Sequence, residues 1–485
     1  MLNRTLGLLA LTLGTFFVHG YHPWAEDAEI YLPGVERMLN PALFPSFPEF
    51  FESHAHLTLF PELMAGFARV VPLSWEGILF LWQFTAIFLL LLGCWVLSEC
   101  WFNSAAARWA GVAFVAALLT LPVAGTALYV IDQYINPRNL AAFCGVFAVA
   151  RTLQKKYIQA GCFVVGAALV HPLMAFFSLS FCVLLILLSN TRLALLTGCT
   201  VLPFGLSFAR PSESYHQAAL LHSFHYLTRW QWYEWLGAIA PLAILWGFRI
   251  VALRQGNANL ELVCRALAIY GAIYFAAGLV LSIPTRFESL ARIQPMRSLH
   301  LLYIVFILLG GGLLGEFILK TRPWRWVAIF LPLCLGMFVA QRALFPQSAH
   351  IEWPGTESKN PWVQAFAWSR QNTPVNALFA IDPYYMALPG EDHNGFRAVA
   401  HRSRIADIIK DSGAVSMFPQ LADEWFTQTQ DLKNWKSFQL RDLQELQRKY
   451  GVSWVVLQAP GIIGLQCPYQ NYAVIVCPLK EQENK

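Results

Sequence analysis

An acidic cluster follows the first apolar stretch of the chain. Three carboxylates, Glu26, Asp27 and Glu29, lie in the segment from Tyr21 to Pro41. Carboxylates at the mouth of a membrane span are not needed to insert it, and they cost free energy when drawn into the bilayer. One interpretation is a solvated loop whose charges carry no function. The other is a general base or a metal-binding pair that faces a cavity, and the surrounding aromatic and proline residues favour it.

The spacing within this segment predicts a short amphipathic helix on the membrane surface. Asp27 and Tyr31 lie one helical turn apart, and Glu26 and Glu29 lie three residues apart. Residues at these separations are neighbours on one face of a helix. Asp27 would then lie on one side of the helix and Ile30 on another.

A second polar cluster, with Glu52, His54 and His56, continues the same loop. In an extended loop the two imidazole rings would face the same way. Together with Glu26, Asp27 or Glu52, they could complete a site for a divalent metal ion. The alternative is that both histidines form hydrogen bonds within the loop or bind substrate hydroxyls.

The composition predicts a multispanning α-helical membrane protein that holds these clusters. Of 485 residues, 56% are hydrophobic and 13% are charged, whereas about 25% are charged in soluble proteins. The net charge of +5 comes from short basic tufts between apolar runs and does not predict nucleic-acid binding. Each run is roughly long enough to cross a ~30 Å hydrocarbon core. We predict about eleven spans, near residues 5–20, 76–98, 109–129, 138–150, 157–171, 173–190, 193–209, 234–252, 266–283, 299–319 and 326–344.

Basic residues between the runs predict the orientation of the spans. The first run is predicted to be a retained signal anchor, because no small-x-small cleavage site follows it. Arg4, Arg108, Arg151 and the cluster Lys320–Arg325 fall on alternate loops. The positive-inside rule places these loops and the N-terminus on the cytoplasmic side of the membrane. The outer regions are then the loop 21–75, the turn 130–138, the loops 210–233 and 284–298, and everything after about residue 345.

Two outer turns carry polar residues at helix ends. Asn136 can cap the helix that Pro137 starts, or Asp132 and Arg138 can form part of a cavity wall. His171 precedes a proline between two apolar runs. It either lines a cavity, where a break in a helix is tolerated at membrane depth, or is an ordinary turn residue.

Three arginines lie in a predicted outer loop, where the positive-inside rule disfavours basic residues. Arg286, Arg292 and Arg297 precede a late apolar run. Arginine is suited to bidentate phosphate binding, so one interpretation is a specific anionic partner. The other is snorkelling towards lipid headgroups.

A change in composition after Phe345 predicts a second domain. Residues 345–485 hold 13 Lys+Arg and 14 Asp+Glu. Segments 376–381, 452–458 and 472–477 predict strands, and 437–451 predicts a helix that ends at Gly451. We therefore predict a membrane module of residues 1–344 and an extracytoplasmic α/β domain of residues 345–485.

Two features of this domain carry further predictions. The segment with Arg397, His401, Arg402 and Arg404 is predicted to be a strand-to-helix surface. Cys467 and Cys477 would lie in an oxidising compartment, where they form either a disulfide or two free buried cysteines.

The layout resembles that of the GT-C superfamily of membrane glycosyltransferases. The resemblance rests on Glu26-Asp27 followed by Tyr31 in the first outer loop, on about eleven spans, and on an outer C-terminal α/β domain. The tail, from "WVQAFAWSRQNTPVNALFAIDP" through "YGVSWVVL", is similar to that of uncharacterised bacterial proteins with a GT-C-like build. The W-W-D signature of oligosaccharyltransferases is absent, so that activity is not implied. The Glu-Asp order, where some members have Asp-Glu, leaves the choice of base open.

The resemblance implies a protein of the bacterial inner membrane that transfers a sugar from a polyprenyl-phosphate carrier to an acceptor that the sequence does not identify. A carboxylate must accept the proton of the acceptor hydroxyl, and Asp27 is the first candidate, Glu26 the second. A single displacement would invert the anomeric centre. Cations must meet the charge that develops on the leaving phosphate. The substrate-binding candidates are His54, His56, Arg138, His171, Arg286, Arg292 and Arg297, and the candidates for a possible divalent ion are Asp27, His54 and His56.

Two other functions are weighed against a transferase. A transporter or flippase of a lipid-linked or anionic substrate would show matching halves with broken helices, and the sequence has no such halves. A non-catalytic membrane assembly protein would tolerate replacement of the loop acids.

Overall fold

The computed structural model describes residues 2–189, 212–282, 290 and 292–479. Arg286, Cys199 and the predicted span 193–209 lie outside the described residues. The chain forms two compact units. The first unit comprises the described residues of Met1–Gly20, Leu81–Arg210 and Ser223–Ala340, and the second those of Tyr21–Phe80, Pro211–His222 and Gln341–Lys485.

The described residues form nineteen α-helices and five strands. The first ten helices are α1 (Leu2–His19), α2 (Ala28–Leu39), α3 (Glu49–Ala55), α4 (Phe60–Val70), α5 (Trp75–Ser98), α6 (Ala105–Ala117), α7 (Pro137–Leu153), α8 (Tyr157–Val170), α9 (Pro172–Ser189) and α10 (Glu213–Leu220). The others are α11 (Trp232–Arg254), α12 (Ala258–Ser282), α13 (Leu299–Leu314), α14 (Pro323–Leu344), α15 (Pro361–Asn372), α16 (Phe396–Ala400), α17 (Asp411–Met417), α18 (Ala422–Asp431) and α19 (Leu440–Tyr450). The strands are β1 (Leu378–Ile381), β2 (Ser403–Arg404), β3 (Trp454–Gln458), β4 (Tyr469–Gln470) and β5 (Val474–Pro478).

Six helices in the described part of the chain are long and apolar enough to cross a membrane. They are Trp75–Ser98, Pro172–Ser189, Trp232–Arg254, Ala258–Ser282, Pro295–Leu319 and Pro323–Leu344. The apolar helices Ala105–Ala117 and Tyr157–Val170 are shorter. The protein is therefore a multi-pass membrane protein, and the predicted count of eleven spans is not confirmed.

The predicted span 109–129 differs most from the structure. Helix α6 ends at Ala117, and the chain then turns so that the backbone N–H of Val123 donates to the carbonyl of Leu128 at 2.8 Å. Pro122 removes a backbone donor, and its ring disfavours a continuing helix. The apolar run therefore predicted a longer helix than the structure has.

The second unit is built around a five-stranded mixed sheet with strand order β2-β1-β3-β5-β4. Strand β1 pairs in parallel with β2 and β3, and β5 pairs antiparallel with β3 and β4. The three predicted strands correspond to β1, β3 and β5 and are confirmed. Aromatic side chains such as Phe366, Phe379 and Phe396 form a buried cluster on one face, and Leu443 and Leu446 of α19 belong to a cluster on the other.

Helix α19 forms as predicted, because its signals are local. Gln439 and Asp442 make a capping box at its start, and Gly451 ends it with φ of 77°, a conformation that glycine adopts at little cost. Of the two alternatives for Cys467 and Cys477, the structure has the disulfide.

The loop 21–75, which was predicted to be an outer loop, belongs to the second unit. Tyr21 donates its backbone N–H to the carbonyl of His350 at 3.0 Å and accepts from the N–H of Glu352 at 3.0 Å. Helices α2, α3 and α4 follow, and α2 contacts both of the other two as well as α16. The predicted helix in the acidic segment is confirmed as α2, except that it begins after Asp27 and leaves Glu26 outside. Its place on a membrane surface stays a prediction.

Candidate functional site

The acidic pair lies at the start of α2. Asp27 is the N-cap residue of this helix, where a negative charge is stabilised by the helix dipole. Glu26 adopts a left-handed backbone conformation with φ of 55°, and its N–H donates to the carbonyl of His393 at 2.7 Å. A left-handed conformation costs a residue with a side chain about 1–2 kcal/mol. Such strain is concentrated at functional sites.

Lys410 joins the two carboxylates. Its Nζ lies 2.9 Å from Asp27 Oδ1 and also donates to Glu26 Oε2. The side chain of Lys410 is 12% exposed, whereas those of Asp27 and Glu26 are 22% and 35% exposed. Burial opposes the charge of Lys410, but Asp27 and Glu26 raise its pKa above the usual value. The site therefore combines a fixed cation with two carboxylates that solvent can still reach.

Sequence reasoning missed Lys410. The lysine is 383 residues from Asp27 in the chain, and no periodicity or motif links the two segments. The ion pair follows from the tertiary packing of α2 against the C-terminal residues.

A buried ion-pair cluster lies behind this site. Glu29 accepts from the backbone N–H of Arg397 at 2.7 Å and from Arg404 Nε at 2.8 Å. Arg397 also binds Asp411 through two hydrogen bonds of 2.9 and 3.0 Å. Arg404 Nη2 binds Asp407 at 2.6 Å. Both arginines are 1% exposed, and His401 and Arg402 are buried as well. The segment runs from helix α16 to strand β2, so the prediction of a strand-to-helix surface is wrong.

The cluster fixes both sides of the contact between Lys410 and Asp27. Glu29 belongs to α2, which begins directly after Asp27. Asp407 Oδ1 accepts from the backbone N–H groups of Lys410 and Asp411, each at 2.8 Å. The cluster therefore positions the lysine against the acidic pair.

The charges in the cluster are unequal, because two guanidinium groups face three carboxylates. Burial raises the pKa of Glu29, although Arg404 and Arg397 act in the opposite direction. Burial also acts to raise the pKa of Asp411, but Arg397 and Arg404 together lower it below the usual value. Asp411 is thus the carboxylate whose charge the cluster stabilises most clearly.

Glu391 is a further buried carboxyl group of the second unit. Its Oε2 accepts from the backbone N–H of Asn394 at 3.0 Å. Its Oε1 is buried and has no hydrogen-bond partner among the described residues. Burial raises the pKa of Glu391 well above its usual range, so the folded protein favours the neutral acid.

Replacement of Glu391 with glutamine is expected to remove part of the pH dependence of stability. The stabilisation from a raised folded-state pKa is present below the unfolded pKa of about 4.3 and is lost as the pH rises through the folded value. Leaving one buried oxygen of a carboxylate without a donor costs at least about 1–3 kcal/mol. The wild type should therefore lose about this much stability between pH 5 and pH 8, and Glu391→Gln should lose correspondingly less.

The measurement is the thermal unfolding midpoint in detergent across this pH range. Glu445→Gln, an exposed change on α19, is the control and should follow the wild type. Parallel pH curves for Glu391→Gln and the wild type would show that Glu391 is already ionised in the folded protein.

The two histidines of the first loop do not form the predicted pair. His54 lies in α3 and His56 is its C-cap. Side chains two residues apart in a helix point in different directions, so the two rings do not face the same way. The His54 ring packs edge-on against Tyr31 and Phe418, at centroid distances of 6.0 and 5.1 Å, whereas His56 is exposed. Within the described ranges, no three or more His, Cys, Asp or Glu residues are grouped to hold a metal ion. Substrate binding by His54 and His56 stays a prediction, and so does the binding of a divalent ion.

Arg138 lies in a buried polar network of the first unit. Asp132 Oδ2 accepts from Arg138 Nη2 at 3.1 Å and from Asn136 Nδ2 at 2.7 Å. Asn136 Oδ1 also accepts from the N–H of Asn139 at 3.1 Å, and Pro137 begins the helix. The interpretation of Asn136 as a helix cap is confirmed, and phosphate binding by Arg138 stays a prediction.

The other candidates of the first unit are His171, Arg292 and Arg297. His171 joins α8 to α9, and its Nδ1 accepts from the N–H of Met174 at 3.4 Å, as in a turn residue that caps the next helix. Arg297 places its guanidinium 5.2 Å from the centre of the Phe224 ring, and Arg292 is half-buried. Substrate binding by these three residues stays a prediction.

Comparisons with known proteins do not decide a family. No family model and no curated protein sequence matches the chain. Among solved structures, it is similar to the apo crystal structure of the Archaeoglobus fulgidus oligosaccharyltransferase, with a TM-score of 0.45 and 13% identity over 94% of this chain and 69% of that one. A likeness at this level establishes neither a shared fold nor a shared activity.

Proposed function

We propose that this protein is an integral membrane glycosyltransferase of the GT-C type. It transfers a sugar from a polyprenyl-phosphate-linked donor to an acceptor on the extracytoplasmic side. The observation that carries the proposal is the Glu26–Asp27 pair, which is accessible to solvent, presented by a strained turn and held by Lys410. The pair follows the apolar helix α1 at the entrance to the first loop, as the family resemblance requires.

Asp27 is the proposed general base. Its carboxylate takes the proton from the acceptor hydroxyl as that oxygen bonds to the anomeric carbon of the donor. The bond between this carbon and the phosphate oxygen breaks, and the electron pair leaves with the lipid phosphate. Because one displacement takes place at the anomeric carbon, its configuration inverts.

Lys410 is a positioning residue in this mechanism. It holds Asp27 and Glu26 through charge-assisted hydrogen bonds, which restrict the carboxylate to the geometry that the acceptor must meet. Glu26 also accepts a hydrogen bond from Lys410 and is the second candidate for the base.

Cationic side chains neutralise the leaving phosphate in this proposal. Arg292 and Arg297 are the first candidates, and Arg286 and Arg138 are the second. His54, His56 and His171 bind substrate hydroxyls or help to orient the donor. A divalent ion bound near Asp27, His54 and His56 is an additional proposal, which treatment with a chelator tests.

The Cys467–Cys477 disulfide supports the proposed side of the membrane. Disulfides persist in oxidising compartments and are rare in the cytoplasm. The disulfide and the acidic pair belong to the same compact unit. An extracytoplasmic second unit agrees with the orientation that the basic loops predict.

The experiment that tests the function is sugar transfer by the purified protein in nanodiscs. Labelled lipid-linked sugars from a total bacterial lipid extract serve as donors, and the anomeric configuration of the product is determined by NMR. We expect transfer with inversion. Transfer with retention would contradict the single displacement. No transfer from a broad set of carriers by a correctly folded protein would favour a transporter or an assembly protein.

A further inference from the structure

Helix α4 of the second unit is apolar on two opposite faces. The first face is buried inside the unit and consists of Phe60, Pro61, Met64 and Ala65. The second face is formed by Leu59, the N-cap residue, together with Leu63 and Val70, which lie within about 40° of one another around the helix axis. Leu63 is 44% exposed and Val70 is 81% exposed, so the second face is open. A helix that is apolar on both sides is normally covered on both.

Two charged residues mark one edge of the open face. Glu62 and Arg69 are exposed, and their spacing along the helix places them within about 20° of each other around its axis. They lie about 60–80° from Leu59, between the open apolar face and the buried one. Helices that lie in a membrane interface have this pattern, because the charged groups reach the headgroups while the apolar face enters the acyl region.

The open apolar surface extends beyond α4. Leu57 and Leu73, which precede and follow the helix, are about half exposed. The end of α2 lies beside the end of α4, because Arg69 Nη2 donates to the carbonyl oxygen of Met38 at 2.7 Å. Met38 and Leu39 are exposed as well. We call the whole set the α4 surface: Met38, Leu39, Leu57, Leu59, Leu63, Val70 and Leu73. An exposed apolar surface of this extent marks a contact with another protein or with a membrane.

The chain runs from the α4 surface directly into a membrane span. Helix α4 ends with Val71 as its C-cap, and α5, which is long and apolar enough to cross a membrane, begins at Trp75. The steps from one to the other, each at most ~3.6 Å, cover no more than about 14 Å. The headgroup layer on each side of the hydrocarbon core is itself about 5–7 Å thick. Among the possible partners, the bilayer is therefore the one that the chain itself brings to this surface.

We propose that α4 lies in the plane of the membrane interface, with the α4 surface inserted into the boundary between headgroups and acyl chains. The partner is the bilayer that α5 crosses. The contact also supports the candidate site, because α2 packs on α4: a Cβ atom at Gly34 of α2 would lie 3.8 Å from Cγ of Pro61. Helix α2 has Asp27 as its N-cap, so the bilayer and the acidic pair are connected through two packed helices. The membrane contact itself does not depend on the proposed transferase activity.

Photo-crosslinking in phospholipid nanodiscs tests the proposal. The photoreactive amino acid p-benzoyl-phenylalanine is introduced in place of Leu63, Val70 or, as the control, Glu445 on α19, which is exposed. Intact-mass spectrometry after irradiation reports what each position contacts. We expect phospholipid adducts at Leu63 and Val70 to be at least about tenfold more abundant than at Glu445, because an inserted face contacts acyl chains. Equal adducts at all three positions would overturn the proposal, and so would adducts between two chains, which would assign the α4 surface to a second copy.

Hydrogen exchange of the wild type and two variants in the same nanodiscs is the second test. Leu63→Gln replaces an apolar side chain by a polar one of similar length. The amides of α4 should then exchange about tenfold faster, because the helix loses part of the transfer free energy of a buried leucine. Glu62→Gln, an exposed change on the charged edge of the same helix, is the matched control and should exchange as the wild type does. Unchanged exchange in Leu63→Gln would overturn the proposal, since it is the result for a side chain that faces water.

Discussion

The Asp27→Asn variant is expected to transfer sugar at least about a hundredfold more slowly than the wild type, within the range that a positioned general base contributes. Asparagine has nearly the same size and can still accept a hydrogen bond from Lys410. It cannot take the proton of the acceptor hydroxyl. A hundredfold loss corresponds to about 2.7 kcal/mol of transition-state stabilisation. The loss should fall on kcat rather than on KM, because the base acts in the chemical step.

Glu26→Gln is the informative comparison, since Glu26 and Asp27 both bind Lys410. Each variant weakens the ion pair with the lysine, but only one removes the proposed base. The Glu26 variant should therefore retain most of the activity. Asp423→Asn on α18, an exposed aspartate of the same unit, controls for loss of charge alone. Rates are measured with saturating acceptor, together with the unfolding midpoint of each variant.

The pattern of losses decides between the candidates for the base. A large loss in Glu26→Gln with normal transfer by Asp27→Asn would exchange the roles of the two residues. Full activity in both would remove the pair from the chemistry and would shift attention to the histidines of the first loop, His54 and His56.

The parts of the fold that sequence predicted correctly are those with local signals. Short β-like apolar runs indicated β1, β3 and β5, and Gly451 marked the end of α19. By contrast, β2 has only two residues, one of them a charged arginine, and is held by its pairing with β1. Helix α6 is shorter than the predicted span because a turn and a proline follow it. The apolar composition of the run alone had suggested a helix long enough to cross the membrane.

The sequence predicted only part of the candidate site. The residues that it missed contact the acidic pair from distant positions in the chain. The acidic pair was identified from its position behind an apolar helix. Lys410 and Arg397 were not identified as its supports, because they meet α2 across 383 and 368 residues of chain. Arginine is usually exposed, so only tertiary structure shows that Arg397 is buried with partners. The His54–His56 hypothesis was wrong in its geometry because it assumed an extended loop.

Replacement of Asp411 with asparagine is expected to destabilise the second unit by about 3–5 kcal/mol, the usual cost of removing one partner from a buried ion pair. The change leaves Arg397 without the carboxylate that accepts two of its hydrogen bonds. Arg397 is almost completely buried, so water cannot replace the lost partner. The measurement is urea unfolding in detergent followed by tryptophan fluorescence, with hydrogen exchange of α16 and α17 to locate the effect.

The pH dependence provides a second readout of the same variant. Arg397 and Arg404, acting against burial, lower the folded-state pKa of Asp411. A depressed pKa stabilises the fold above the unfolded value of about 3.9, and this stabilisation is lost as the pH falls through the folded value. The wild type should therefore lose stability towards acid, and the variant should lack this contribution. A loss of less than about 1 kcal/mol, like that of a surface change such as Asp423→Asn, would contradict the role of Asp411.

The same variant links the buried cluster to the site. Asp411 begins α17 directly after Lys410, and its N–H and that of Lys410 share Asp407 Oδ1. Loss of the pair with Arg397 should loosen this turn and release the lysine from Asp27. Transfer by Asp411→Asn should therefore fall even under conditions where the protein stays folded, with kcat more affected than KM. Normal kcat in the folded variant would show that the cluster stabilises the unit without positioning Lys410.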